Sequence, residues 1–218
     1  MITLLSPAKK LNLEQGKNLI EPSQPIFASD TQNLVRVAKT QSASDLKKLM
    51  KLSDNLAELN AERFKTFRLN GRSNSTKPAA FTFDGNVYEG LDIQSLSKSD
   101  LNYAQDHLRI LSGLYGSLRP MDAIQPYRLE MGTRLKTKRG SNLYQFWGAR
   151  IAESLMTDMD SHKDITILNL ASNEYFKAVD KNAISSPIIE AKFLNIKGRT
   201  GSKPHVLRQI CTWADGAV

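Results

Sequence analysis

Three short segments rich in apolar residues, Ile2 to Leu5, Ile165 to Leu170 and Ile188 to Leu194, do most to restrict what this chain can fold into. Each is too short for a helix of ordinary length, and the first two stop at small polar residues, Ser6-Pro7 and Ala171-Ser172-Asn173. Such runs read as buried strands. Between them lie stretches of helical period. One follows Asp30 with Leu34, Val35 and Ala38; a second begins near Ser44 with Leu46, Leu49 and Met50; a third begins near Ser53 with Leu56, Leu59, Ala61 and Phe64. Ser99-Asp100 is expected to cap a helix carrying Leu101, Ala104, Leu108 and Leu111, ended by Gly113 at positive φ. Leu143 to Met156 reads as a further amphipathic helix, and a short one runs through Lys177. Ala79 to Phe83 reads as a strand entering the Asp84-Gly85 turn, Tyr127 to Met131 as extended, and Asn70 to Lys77 as a loop. Helices and strands interleave without a strict repeat, so the expected fold class is α+β, a mixed α/β single domain.

With 218 residues the chain suffices for one large domain or two small ones, and its composition is that of a globular protein. The apolar run at the start is far shorter than a signal peptide's, and nothing later approaches a membrane span. Cys211 is the only cysteine, which excludes a disulfide framework and a thiolate metal cluster. A cytoplasmic location is the expectation. The formal charge of +8 is concentrated: Leu108 to Arg139 holds Arg109, Arg119, Arg128, Arg134, Lys136, Lys138 and Arg139 against Asp122 and Glu130. Clustered cations attract nucleic acid or phosphorylated ligands, although a solvated basic face has the same composition.

No phosphate-binding glycine loop or nucleophile elbow is present, and His107, His162 and His205 lack metal-ligand spacing. No metal or cofactor is expected, and no catalytic residue is assigned. Three segments are nonetheless richer in polar groups than scaffolding needs. Ser6 to Lys9 follows the first strand, where ligand crevices form in α/β sheets, and Lys9 could meet an anion there. Leu111 to Pro120, leading to Pro126 to Gly132, is a glycine-bounded hairpin with arginines nearby; its backbone N–H groups could approach a phosphate. Asn169 to Lys177 again places small polar residues just after a strand.

The same segments carry a resemblance. Ser6 to Lys9, Phe83-Asp84-Gly85 with Val87-Tyr88 and Gly90-Leu91, Leu111 to Pro120, Pro126 to Gly132, Leu143 to Gly148 and Asn169 to Lys177 are similar in order and spacing to the YaaA family of peroxide-stress proteins. The likeness runs from Met1 to about Leu194. It implies a single-domain, cantaloupe-like fold with a helix-hairpin-helix element and a positively charged cleft. It also implies double-stranded DNA binding and a lowering of intracellular free iron under hydrogen peroxide. Ser112 to Gly116 is the natural place for the hairpin element. The DNA-binding candidates are then Lys9, Arg109, Ser112, Gly113, Tyr115, Gly116, Arg119 and Arg128. Asp84, Tyr88, Asn169, Ser172 and Lys177 are candidates for a polar pocket. No protein partner is implied.

An enzyme acting on a nucleotide or nucleobase, with Lys9, Asp84, Tyr88, Arg119 and Ser172 converging, is the alternative; a nonfunctional truncated product is another. The last stretch departs from the family pattern, which has a FYAKxARG word soon after Leu194. Dropping one base from a synonymous coding of His205 to Val218 yields TFYAKYARGLMAR. The expectation is therefore a family domain over 1–195, C-terminally incomplete, and a poorly structured out-of-frame tail over 196–218.

Overall fold

A computed structural model describes residues 1–14, 20–68 and 76–191. In chain order, β1 (Ile2–Leu5) and β2 (Lys10–Leu11) precede three helices, α1 (Ala28–Lys39), α2 (Ala43–Met50) and α3 (Asp54–Thr66). Then come β3 (Lys77–Pro78), α4 (Ala79–Thr82), β4 (Phe83–Asp84), α5 (Asn86–Leu91) and α6 (Lys98–His107). A hairpin of β5 (Leu108–Ser112) and β6 (Gly116–Leu118) leads to β7 (Ala123–Ile124), α7 (Leu143–Trp147) and α8 (Arg150–Met159). The described chain closes with β8 (Ile167–Asn169), α9 (Asn173–Phe176) and β9 (Ile188–Glu190). The mixed α/β expectation holds. The tail over 196–218, with His205 and Cys211, lies outside the described residues, as do positions 70–75 of the expected loop.

The central sheet has the order β6-β5-β1-β8-β9. β1 runs parallel to both β5 and β8, β8 parallel to β9, and β6 antiparallel to β5. Ile2 and Leu4 are fully buried, and Thr3, facing the other way, is still half-buried. A parallel strand covered on both faces favours apolar residues on both, and Ile2 to Leu5 meets this with the uncharged Thr3 as its one polar side chain. The core continues through Leu34, Phe64, Leu101, Ile110, Phe146, Trp147 and Leu155.

Several local expectations are corrected. The helix foreseen through Leu111 ends at His107, and Leu108 to Ser112 is a strand with all five residues buried. Its helical spacing was real, but pairing of Leu108, Arg109 and Ile110 with Thr3, Leu4 and Leu5 prevails. The N-cap is Ser97 rather than Ser99, in a capping box with Asp100. Ala79 to Thr82 is a short helix, and Val87-Tyr88 lie in α5. The helix from Leu143 breaks at Gly148, whose φ is 51. The segment assigned to a helix-hairpin-helix joins two strands instead, leaving Gly113 to Tyr115 as a three-residue loop. Positive φ falls on Gly116 (φ 72), the usual place in such a hairpin, and not on Gly113.

The boxes at Ser42–Asp45 and Ser97–Asp100 have a pH consequence. In each, a serine hydroxyl and then a backbone N–H bonded to the carboxylate hold the aspartate below its ordinary range. A depressed carboxyl contributes stability above its unfolded value of 3.8, lost as pH falls through the folded value. Far-UV circular dichroism should therefore show helix content falling below pH 3.8, and less steeply in Asp45→Asn/Asp100→Asn. Superimposable acid limbs would remove both boxes from the account.

Candidate functional site

Parallel strands whose connections leave toward opposite sides of a sheet open a crevice at their carboxyl ends. Here the chain leaves β1 for β5 on one side and leaves β8 for β9 on the other, so the switch lies between β1 and β8. The two loops departing there are Ser6 to Lys9 and Leu170 to Ser172. They are tied together: the Ser172 backbone N–H donates to Ser6 Oγ at 2.8 Å, and Ser6 Oγ donates to Ser172 Oγ at 3.2 Å. Tyr88, from α5, donates its hydroxyl to the Ser6 carbonyl at 2.8 Å.

A strap from Tyr127 to Lys136 crosses this end of the sheet. Tyr127, Leu129, Met131, Thr133 and Leu135 are buried, while Arg128 and Glu130 are half-buried and Gly132, Arg134 and Lys136 exposed. That inside-outside alternation is the period of an extended chain, although the segment is not paired into a sheet. It is anchored by backbone and ring. Leu129 lies against the Gly113 backbone, Tyr127 OH is 2.5 Å from Ser112 Oγ, and the Gly132 N–H donates to Glu174 Oε1 at 2.8 Å. On the outward side Glu130 Oε1 receives Lys9 Nζ at 3.3 Å and Arg128 Nη2 at 2.9 Å. Arg128 Nε is buried without an acceptor among the described residues.

Three tyrosines, Tyr88, Tyr127 and Tyr175, back the crevice. Burial pushes all three hydroxyls well above the ordinary phenol range, and their closeness to one another adds to this for Tyr88 and Tyr175. They therefore stay neutral and act as fixed hydrogen-bonding groups. Glu130 also lies close enough to Tyr175 to raise it further. Glu130 thus contacts the β1 loop through Lys9 and neighbours the helix that follows the β8 loop.

The sequence-derived candidates separate into groups. Lys9 and Arg128 meet at Glu130, and Tyr88 and Ser172 meet at Ser6. Asp84 pairs instead with Lys10 at 2.6 Å across β2 and β4. Asn169 turns its side-chain oxygen to the Ala171 N–H at 3.0 Å, and Lys177 lies over the Tyr144 ring. Arg109 is 3% exposed and bonded to Asp158 on α8 at 2.7 Å. Ser112, Gly113, Tyr115 and Gly116 are interior, with Gly116 under Trp147, and Arg119 is drawn onto the fully buried Asp122. The hairpin and Arg109 are therefore placed to hold the core together. Ser6, Glu130, Glu174 and Tyr175 were not singled out, although each lies inside a segment whose polar excess was visible.

His107 and His162, remote in sequence, lie with tilted rings 4.4 Å apart near Met1, at the opposite end of β1. Among the described residues no group of three or more His, Cys, Asp or Glu is placed to hold a metal ion, and no helix is long and apolar enough to cross a membrane.

Comparison with known proteins matches residues 1–210 to a family model described as peroxide stress protein YaaA. A UPF0246 protein of Phenylobacterium zucineum is 50% identical over 197 residues, spanning 90% of this chain and 73% of that protein. One from Maricaulis maris is 48% identical over 194 residues, spanning 88% and 73%. One from Aliivibrio fischeri is 46% identical over 197 residues, spanning 90% and 76%.

Proposed function

The chain belongs to the YaaA family of peroxide stress proteins, and from that premise we propose that it serves the hydrogen peroxide response in the cytoplasm by binding duplex DNA along its basic strap. Keeping free iron low, and so limiting oxidative damage, belongs to the same reading and rests on family membership alone.

The observation that carries DNA binding is the outward register of the strap. Arg134, Lys136 and Lys138 are all exposed, while Leu135 between the first two is buried and Thr137 between the last two is half-buried. None of these three cations has an acidic partner among the described residues. Extended geometry sets Arg134 and Lys136 roughly 6.6 Å apart along the strap. Unpaired cations in a row bind phosphates without regard to base sequence, which is a backbone-positioning role. Arg139, next in line, is already engaged by Asp30 and the Phe146 ring.

Fluorescence anisotropy with a mixed-sequence duplex tests this. Each phosphate contact should contribute about −0.9 to the slope of log affinity against log salt. Reversing Arg134, Lys136 and Lys138 to glutamate should weaken all duplexes alike and remove roughly 2 to 3 units of that slope. Affinity and slope unchanged in the triple variant would overturn the reading.

A further inference from the structure

We propose that the crevice between the ends of β1 and β8 is a binding site for a phosphomonoester dianion, with the Glu130 carboxylate marking where one oxygen of that anion is held. This site is separate from the exposed strap cations and does not depend on duplex binding.

Position is the first support. The Ser6–Ser172 contact sits at the one switch point of the parallel sheet, where geometry opens a crevice whatever the chemistry. The second is the donor set around Glu130. One carboxylate oxygen receives two cations, Lys9 at 3.3 Å and Arg128 at 2.9 Å, so the cluster holds two positive charges against one negative. A phosphomonoester carries about −1.5 to −2 at neutral pH and balances Lys9 and Arg128 once Glu130 turns aside.

The third support is the idle donor on Arg128. Nη2 is bonded to Glu130, while Nε is buried and has no acceptor among the described residues. Nε and Nη2 form one edge of the guanidinium, built to grip two oxygens side by side. Glu130 fills half of that edge, and a phosphate presenting two oxygens would fill both. Ser172 completes the set. Its hydroxyl accepts from Ser6 and keeps its own proton free among the described residues, at an exposed position in the β8 loop. The neutral tyrosines behind add hydrogen-bonding capacity without adding negative charge.

A free mononucleotide and the 5′-phosphate end of a DNA strand both present this group. Titration calorimetry of the full chain with deoxyadenosine 5′-monophosphate, deoxyadenosine and inorganic phosphate separates phosphate from nucleoside. Anisotropy with 5′-phosphorylated and 5′-hydroxyl single strands identifies the source.

Both phosphate-bearing small probes should bind and the nucleoside should not. Lys9→Ala, at a well-exposed side chain, should weaken binding about tenfold, the loss of one charge-assisted hydrogen bond. Glu130→Gln should tighten it about tenfold by removing the competing carboxylate, a sign that a purely structural ion pair would not give. A preference confined to the 5′-phosphorylated strand also supports the site and names DNA ends as the source. The proposal is overturned if no phosphate-bearing probe binds better than its phosphate-free counterpart. It is equally overturned if a folded Glu130→Gln binds more weakly than the parent, or if Lys9→Ala has no effect.

Discussion

Replacing Gly113 with alanine is expected to destabilise the protein by about 3 kcal/mol or more, at the upper end of what overpacking a core costs. An added Cβ would lie 2.3 Å from the Leu129 carbonyl oxygen and 3.1 Å from its carbonyl carbon. Both are backbone atoms, so no rotamer change relieves the overlap. The strap or the hairpin must move. Neither is free to do so. The Gly113 carbonyl accepts from Trp147 Nε1 at 3.1 Å, Leu114 accepts from Thr31 at 3.1 Å, and Tyr127 holds the start of the strap on Ser112. A shift here would disturb Trp147, which is fully buried. The reason differs from the backbone strain expected from sequence, because Gly113 does not have positive φ. What excludes a side chain is close approach. Urea midpoints of wild type, Gly113→Ala and Gly113→Val should decline in that order. A Gly113→Ala midpoint equal to wild type would show that the strap does not press on the hairpin in solution.

Asp122→Ala should be nearly as damaging, at about 3 kcal/mol. This carboxylate is fully buried and accepts from four donors: Ser23 Oγ at 2.7 Å, the Arg119 N–H at 2.9 Å, and Arg119 Nε and Nη2 at 3.1 and 2.9 Å. Arg119 in turn reaches the Gln24 carbonyl, and Ser23 receives Gln105 from α6. Removing Asp122 strands all these groups at once. The Arg119 side chain is 29% exposed and recovers some hydration, which keeps the cost at the lower end for a broken buried pair. Asp122→Asn, which keeps the shape but not the charge, should cost less. Arg119→Met combined with Asp122→Ala should cost clearly less than the two singles added, since each single leaves the other group unpaired. Strict additivity would show that the pair contributes nothing as a pair. The network also explains why Arg119 is a poor candidate for a phosphate contact.

Much of the fold was legible wherever local chemistry and tertiary environment agree. Ile2 to Leu5 is apolar at every position but Thr3, because both faces of the strand are covered, and short runs of that kind have few other stable uses. The helix starts expected near Ser44 and at Ser99 fall two residues from the capping serines, Ser42 and Ser97, because a cap is a local bond to the residue three ahead. Errors came where two periodicities overlapped. Leu101, Ala104, Leu108 and Leu111 satisfy a helix, but the unbroken burial of Leu108 to Ser112 belongs to a strand that β1 stabilises from a hundred residues away. No local window contains that partner.

The candidate site divides in the same way. Ser6 to Lys9 and Asn169 to Lys177 stood out because small and polar residues follow apolar strands, and a sheet's strand ends are where such residues gather; Pro126 to Gly132 stood out for its arginine beside the glycine-bounded hairpin. Family membership, likewise, was carried by the order of these segments along the chain. Which arginines face outward was beyond the sequence. Arg109, Arg119, Arg128, Arg134 and Lys136 are indistinguishable as letters in one basic stretch. Only the folded chain sends Arg109 to Asp158 and Arg119 to Asp122 while leaving Arg134 and Lys136 in water. The physical reason is that a charge's role depends on desolvation and on the nearest opposite charge. Both are set by residues distant in sequence, through the order in which β1 gathers β5 on one side and β8 on the other.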